Sequence, residues 1–430
     1  MTEIFLKIIN MSISASWLVL AVLILRLVLR KAPKWANVLL WEIVAVRLLC
    51  PFSIESTLSL IPSAETISPE IMMDATPSVQ TGIPAINSAV NPVIGQSLAP
   101  APGASANPLQ VWIPVLAAIW AIGVAALFAY TAISYWRLRR EVFTAVILRE
   151  NIYQSENVSS PFVIGIIKPR IYLPFKMVGQ NLEHVVAHEQ AHIRRRDHWW
   201  KPLGFLLLTI HWFNPLMWLA YALLCRDIEL ACDEKVIKEL GNQQRADYTQ
   251  ALLACSVSRR MIAACPLAFG EVGVKERVKS VMNYRKPAFW VVAITVLACV
   301  VVAVCFLTNP ATRHDSLIWA QELSADDVSS ADLVVFPQSE DKQFMSLSED
   351  EIAAMVALIN QSKGKFQAKY KELAGGSIFF YITLKDGTAH SVGNIGNTYL
   401  AIDGDYYKAE YEWLSTWNDD FGEGNAPLPD

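Results

Sequence analysis

Charged residues are scarce in this chain. Only 18% of its 430 residues are Asp, Glu, Lys or Arg, whereas soluble globular proteins carry about 25%. Crossing a bilayer takes about 20 apolar residues, and several stretches approach or exceed that length with few charges or none. The composition therefore excludes an ordinary soluble protein and indicates a polytopic membrane protein. The apolar stretches are 8–25, 36–52, 109–136, 202–225 and 287–307.

Three further absences narrow the class. No small-residue cleavage site follows the first apolar stretch, which argues against a cleaved signal peptide. No cysteine occurs in 53–108 or 308–430, so no disulfide framework is expected there. No repeat of 20–50 residues occurs, which excludes a solenoid.

Lysine and arginine are absent from 53–108 but frequent in 26–35 and 137–140. Basic loops remain on the cytoplasmic side of a membrane, which places 26–35 and 137–140 inside and the loop 53–108 outside. One apolar stretch precedes 26–35 and another precedes the tail, so both termini are predicted outside. Glu42 and Arg47 lie within an apolar stretch and are functional candidates, with snorkelling of Arg47 as the alternative. The predicted segments are 1–136, with transmembrane helices 1 to 3 and the extracytoplasmic loop 53–108; 137–286, a cytoplasmic domain; 287–307, the last transmembrane helix; and 308–430, an extracytoplasmic domain.

The tail 308–430 is acidic and has the signals of a small α+β domain. It holds 20 Asp/Glu against 8 Lys/Arg. "SEDE" at 348–351 predicts a capping box that opens a helix. "SIFFYITL" (377–384) and "HSVGNI" (390–395) predict a hairpin, followed by a strand at 398–403 and a helix at 408–417. In the outside loop, six prolines within 75–108 predict a flexible segment.

The strongest chemical signal is His188-Glu189-x-x-His192. Two imidazoles at i and i+4 on a helix share one face and can bind one tetrahedral Zn²⁺. Glu189 then lies beside the metal, where a carboxylate can take a proton from the attacking water and pass it to the leaving amine. The alternative is a surface helix with two solvated histidines. Five of the seven histidines fall within 184–211, which favours the metal site.

A third ligand is expected from another element. His184 lies eight residues from His192, about 12 Å along a helix axis, too far to share one ion. A helix predicted at 226–240 presents Glu229 and Asp233 at i and i+4. One carboxylate can ligate while the other fixes a histidine tautomer. The alternative for this helix is a solvated acidic face.

The stretch 202–225 separates these two helices, so crossing the membrane there would put Glu229 on the opposite side from the histidines. Asn214-Pro215 offers a break, because proline disfavours helix at the preceding residue. We therefore predict a re-entrant hairpin at 202–225 and a site on the cytoplasmic face. Helices are predicted at 182–196 and 247–260, and strands at 143–148, 161–167 and 170–174.

Over about residues 1–310 the chain resembles the BlaR/MecR-type membrane metallopeptidases, the signal-transducing antirepressors of Gram-positive bacteria. The resemblance implies a gluzincin-type peptidase with His188, His192 and Glu229 as Zn²⁺ ligands, Glu189 as the catalytic carboxylate and Asp233 as the second acidic position. It also implies a sensor outside and relief of repression inside, often with self-cleavage. The matching motifs are "RLLCPFSI" (47–54), "PFVIGIIKPRIYLP" (161–174), "HVVAHEQAHIRRRDHWWKP" (184–202), "HWFNPLMWLA" (211–220) and "RDIELACDEKV" (226–236).

The tail departs from the best-known members of that family, whose penicillin-binding sensor is more than twice as long. Ser362–Lys365 matches the letters Ser-x-x-Lys, but no Ser-Asp-Asn or Lys-Thr-Gly partner accompanies it. β-Lactam sensing is therefore not expected. The expected partners are the membrane, a cytoplasmic repressor as substrate and an unidentified extracellular ligand, without direct nucleic-acid binding. Arg259-Arg260 is a candidate self-cleavage site, with a helix end or inner-leaflet anchor as the alternative.

Together these signals predict a mainly α-helical polytopic membrane protein. It would contain a cytoplasmic gluzincin-like zinc peptidase domain of helices plus a small β-sheet, and a small extracytoplasmic α+β domain. Two other functions stay open. One is a constitutive membrane quality-control zinc protease with the tail as a stability module. The other is a non-catalytic receptor with a structural zinc site, against which Glu189 argues, because a structural site needs no carboxylate beside an open metal position.

Overall fold

The computed structural model describes most of the chain and divides it into two compact units, Met1–Ala311 and Thr312–Asp430. The described residues are 1–50, 54–63, 65–72, 77–98, 108–175, 177, 180–240, 244–256, 273–310, 315–336, 345–367, 377–385 and 388–421.

The first unit is mostly helical. Its helices are α1 (Thr2–Val28), α2 (Lys34–Leu49), α3 (Pro84–Leu98), α4 (Pro108–Glu141), α5 (Gln180–Arg194), α6 (Asp197–Ile210), α7 (Pro215–Glu239), α8 (Gln244–Ser256), α9 (Val274–Met282) and α10 (Phe289–Leu307). Its strands are β1 (Ile54–Ser56), β2 (Val146–Arg149), β3 (Ile152–Ser155), β4 (Phe162–Ile164), β5 (Arg170–Pro174) and β6 (Thr308–Pro310).

Three of these helices, α1, α4 and α10, are long and apolar enough to cross a membrane. Only 11% of the apolar window of α4 and 17% of that of α10 is buried, so both helices present apolar side chains outward. A lipid-facing helix has this distribution. Residues 36–49 of the predicted stretch 36–52 belong to α2, whose 16 residues pack between α1, α7 and α10, and residues 51–52 lie outside the described residues.

The predicted break at Asn214-Pro215 is confirmed, because α6 ends at Ile210 and α7 begins at Pro215. The Asn214 side chain uses both its oxygen and its nitrogen in the turn. Asn214 caps α7 by accepting from the Leu216 amide, and its side-chain nitrogen donates to the hydroxyls of Ser12 and Ser16 on α1, each at 2.8 Å.

The prediction of a separate helix at 226–240 is wrong. α7 runs without interruption from Pro215 to Glu239, so the second half of the apolar stretch and the acidic segment are one helix. No glycine or proline lies between these two parts to end it.

The flexible loop predicted at 75–108 is also corrected in part. Residues 84–98 form α3, with Pro84 at its first position and Pro92 inside it. Proline is tolerated in the first helical turn, where its missing N–H has no partner to lose. Residues 99–107 lie outside the described residues.

A four-stranded sheet, in the order β2-β3-β5-β4, packs beside α5. β3 and β5 are parallel, and the two outer pairs are antiparallel. Phe162, Val163, Ile171 and Leu173 are fully buried, and Val163, Ile171 and Leu173 pack with Val185 of α5. The predicted strands at 161–167 and 170–174 correspond to β4 and β5.

Arg47 joins the end of α2 to the end of α10. Its guanidinium donates to the Asn309 side chain at 2.7 Å and to the Leu307 carbonyl at 3.4 Å. β1, which follows α2, pairs in parallel with β6, which follows α10. Arg47 is buried, and its guanidinium donates hydrogen bonds within the fold.

The second unit is an α+β fold around one antiparallel sheet in the order β8-β7-β10-β11-β12-β13-β9. The predicted capping box at Ser348 and Glu351 and the predicted hairpin of β10 and β11 are confirmed. Its elements are α11 (Asp315–Glu322), β7 (Val328–Phe336), β8 (Met345–Ser346), α12 (Glu349–Asn360), β9 (Lys365–Gln367), β10 (Ser377–Leu384), β11 (Ala389–Ile395), β12 (Tyr399–Ile402), β13 (Asp405–Lys408) and α13 (Tyr411–Phe421).

Candidate metal centre

Two histidines of α5 face each other inside the first unit. His188 and His192 lie one turn apart and are buried, and their Nε2 atoms are 3.1 Å apart. His184, one turn earlier, packs edge-on against the Tyr248 ring instead. The sequence-based reason for excluding His184 as a ligand agrees with this position.

Glu229 of α7 brings a third possible ligand atom to the Nε2 atoms of His188 and His192. Its Oε2 lies 3.4 Å from His188 Nε2 and 3.8 Å from His192 Nε2. A tetrahedral ion such as zinc, bound at about 2.0–2.2 Å, separates its ligand atoms by roughly 3.3–3.5 Å. The three separations, 3.1, 3.4 and 3.8 Å, lie on both sides of that spacing, so small movements of the side chains would let these residues hold one metal ion.

The outer ring nitrogens show which way the imidazoles turn. His192 Nδ1 lies 3.0 Å from Asp197 Oδ2, and His188 Nδ1 lies 2.9 Å from the Tyr248 hydroxyl and 3.3 Å from Asp233 Oδ1. Tyr248 donates its proton to Asp233, so its oxygen is free to accept from His188. These acceptors favour the tautomer with the proton on Nδ1 in both rings.

That tautomer points two nitrogen lone pairs and a carboxylate oxygen at one another. Glu229 Oε2 is buried and forms no hydrogen bond among the described residues. Electron-rich atoms that converge in a buried place repel one another unless a cation lies beside them, and the Arg277 guanidinium lies 3.3 Å from His188 Nε2 and 3.2 Å from Glu229 Oε2. Two imidazole nitrogens and a carboxylate oxygen are also ligands that zinc binds, so the chemistry of this donor set fits a metal ion.

Glu189 has the properties of a proton-transfer group. Its side chain is buried, and its Oε2 has no hydrogen-bond partner in the described part of the chain. Burial raises its pKa, although His188 and His192 act in the opposite direction when protonated. A carboxyl group with a raised pKa can both accept and return a proton near neutral pH.

Arg277 of α9 supplies a positive charge next to the three ligands. Its guanidinium donates to both oxygens of Asp233, at 2.8 and 2.7 Å, and lies 3.2 Å from Glu229 Oε2. Burial would raise the pKa of Asp233, but Arg277 holds it below its ordinary value. His192 and Arg277 likewise hold the pKa of Glu229 well below its ordinary value.

His192, Asp197 and Cys232 form a second cluster of possible ligands. Here the atoms satisfy one another, because the Cys232 thiol donates to Asp197 Oδ2 at 3.0 Å and the same oxygen faces His192 Nδ1. Burial raises the pKa of Cys232 to about 12, which keeps the thiol protonated. Asp197 and Cys232 therefore contact Nδ1 of His192, the ring nitrogen that faces away from His188.

The family described as BlaR1 peptidase M56 matches residues 6–281. The chain belongs to this family. It is also 30% identical over 141 residues to the methicillin resistance mecR1 protein of Staphylococcus aureus, and 28% identical over 139 residues to the regulatory protein BlaR1 of Bacillus licheniformis. Each match covers 31% of this chain, and 24% and 23% of these relatives. The predicted BlaR/MecR-type resemblance is confirmed, and this M56 protein is a membrane protein of a metallopeptidase family.

Four residues that contact the candidate ligands of this M56 protein were not predicted from the sequence: Asp197, Cys232, Tyr248 and Arg277. Asp197 follows three arginines five positions after His192, and an acidic residue in so basic a run is a usable signal. Arg277 gives none, because it is one of several basic residues in 274–286 and meets Asp233 only through the tertiary fold. Arg259-Arg260 lies outside the described residues.

Proposed function

We propose that this chain is a gluzincin-type zinc metalloendopeptidase in which His188, His192 and Glu229 hold Zn²⁺ and Glu189 transfers protons. The observation that carries the proposal is the convergence of three buried ligand-type atoms, which lie 3.1, 3.4 and 3.8 Å from one another. A structural zinc site also has such ligands, but it does not require a buried carboxylate with a raised pKa beside them.

The chain's own residues account for the proton transfers of peptide hydrolysis. Bound Zn²⁺ supplies a Lewis acid that polarises the scissile carbonyl. Glu189 takes a proton from the attacking water and delivers it to the departing amine. Asp197 and Asp233 keep each histidine in the tautomer that leaves Nε2 free to ligate.

We place this centre on the cytoplasmic face, within 137–286. α6 ends at Ile210, and α7, which begins at Pro215, packs against α6. The chain reverses between these helices, so we propose that 202–225 enters the membrane and returns. α1, α2, α4 and α10 would then span, with 53–108 and 308–430 outside, as the distribution of basic residues favours.

We further propose that the second unit is the sensor and that the cleaved protein is a cytoplasmic repressor, the chain itself, or both. The support is a regulatory relative and an acidic α+β unit that follows directly on the apolar helix α10. The inducing ligand would be extracellular and different from a β-lactam. No contact with nucleic acid is required of this chain.

The catalytic role is tested by Glu189→Gln in the full-length protein. Cleavage of the chain itself is followed by immunoblotting, and cleavage of a co-expressed repressor is followed in the same way where the adjacent gene encodes one. We expect loss of cleavage with zinc retained, because the amide cannot accept the proton. Glu183→Gln, the same change on the exposed part of α5, is the control and should cleave normally. Wild-type cleavage by Glu189→Gln would overturn the mechanism.

A further inference from the structure

One arginine reaches the metal centre from a helix outside the sequence motif. Arg277 of α9 is buried to 1% exposure. Its Nε and Nη2 donate to the two carboxylate oxygens of Asp233, a bidentate contact. Nη1 lies 3.2 Å from Glu229 Oε2, and Nη2 lies 3.3 Å from His188 Nε2.

The two carboxylates that Arg277 contacts both serve the centre. Glu229 and Asp233 lie one turn apart on α7, both buried. Two neighbouring carboxylates in a buried place repel each other unless a cation compensates their charge. If Asp233 were displaced by this repulsion, it could no longer hold the Nδ1–H of His188.

Arginine suits this task for a geometric reason. Its planar guanidinium offers parallel N–H groups that match a carboxylate in two places, whereas the lysine ammonium is a point charge. Arg277 therefore fixes the rotation of the Asp233 carboxylate as well as compensating its charge. The direction of that carboxylate decides whether Oδ1 faces His188 and Tyr248.

We propose that Arg277 is a positioning residue of the metal centre. It holds Asp233 against His188 and Glu229 toward the two Nε2 atoms, so that the three ligands are assembled before the metal binds. The proposal rests on the proposed function only in taking His188, His192 and Glu229 as the ligands.

α9, the helix that carries Arg277, packs against the ligand helices and lies close in sequence to α10. Val281 of α9 is fully buried in a cluster with Ala191 of α5 and with Cys232 and Val236 of α7. The helix ends at Met282, and the apolar helix α10 begins at Phe289. Six residues therefore separate the element that orders the ligands from a helix that can cross the membrane. A shift of α10 that moved α9 would disturb the ligands through Arg277.

The test is the affinity of the purified full-length protein for Zn²⁺ in detergent, measured by competition with a chromogenic chelator. We expect Arg277→Gln to weaken zinc binding roughly 10–100-fold, as loss of a partner behind a metal ligand does. Arg277→Lys should recover part of the affinity, because it restores the charge but not the fork. The control is Arg226→Gln, which removes the exposed Arg226–Glu276 ion pair between α7 and α9 and should stay within about twofold of wild type.

Circular dichroism and the thermal midpoint establish that each variant is folded. If Arg277→Gln does not fold, the comparison is made between Asp233→Asn and Asp233→Asn/Arg277→Gln, which bury no unpaired carboxylate at residue 233. A second change that costs little beyond Asp233→Asn supports action through Asp233. Fully additive losses, or a folded Arg277→Gln with wild-type affinity, overturn the proposal.

Zinc binding and cleavage, measured together, distinguish a failure of this inference from a failure of the proposed function. A wild-type protein that binds zinc but cleaves nothing removes the peptidase and leaves the role of Arg277 intact. Zinc binding that is unaffected in Arg277→Gln removes this inference alone. A wild-type protein that binds no zinc removes both.

Discussion

Hydrogen bonds from outside the ligand set decide which nitrogen each histidine turns toward the centre. Asp197 accepts from His192, while Tyr248 and Asp233 face the corresponding nitrogen of His188. Each contact lies on the side of the ring away from Glu229. The coordinating ability of the site thus depends on residues that would never touch the metal.

Asp197→Asn tests this dependence at His192. The amide keeps the size of the side chain but loses its charge, and it can present N–H to the ring nitrogen. We expect zinc affinity to fall about tenfold or more, measured by chelator competition. The matched control is Asp247→Asn, at an exposed position of α8. Equal affinities for the two variants would show that Asp197 does not orient His192.

The turn between α6 and α7 has side-chain partners for its backbone groups. Trp120 of α4 donates its indole N–H to the Ile210 carbonyl at 2.8 Å, and Trp218 donates to the Trp212 carbonyl at 2.7 Å. Asn214 supplies the cap of α7. Backbone groups without water need such partners, so these side chains allow the hairpin to turn back.

Asn214→Ala should therefore destabilise the protein by about 1–2 kcal/mol, the loss of one helix cap together with hydrogen bonds in an apolar place. The thermal midpoint in detergent measures it. Asn283→Ala, which removes an exposed bond to the Lys279 carbonyl, should have little effect. A midpoint that Asn214→Ala does not lower would mean that the turn is held by other contacts.

Local signals predicted the elements whose causes are local. The capping box needs only Ser348 and Glu351 three positions apart, and Pro215 breaks the apolar stretch through its own ring. The continuity of α7 was missed because hydrophobicity changes along it while helical structure does not. Arg277 and Asp233 are 44 positions apart, and no local pattern records that they meet.

In the first unit as a whole, the ligand-bearing half of α7 is tied to the apolar helices. Arg26 of α1 and Trp41 of α2 both donate to Asp227, at 2.7 and 2.8 Å. Asp227 lies two residues before Glu229 on the same helix. The helix that carries Glu229 is therefore bound directly to the apolar helices α1 and α2 through Asp227.

Reporter fusions test the proposed arrangement of the whole chain. Reporters fused after residues 90 and 320 should indicate the outside, and those after 155 and 245 the cytoplasm, because basic segments remain inside. The fusions at 155 and 245 also test the re-entrant hairpin, since they flank it. An outside signal at 245 with an inside signal at 155 would separate Glu229 from the histidines and refute the shared site.

The central claim, that two histidines of α5 and a glutamate of α7 hold one zinc ion, is tested most directly by metal analysis of the purified full-length protein. We predict one zinc per chain in the wild type and in Glu189→Gln, and its loss in His188→Ala and in Glu229→Ala. Glu239→Ala, at the exposed end of the same helix, should keep the metal. A wild-type protein without zinc, or Glu229→Ala with a full complement of it, would contradict the account.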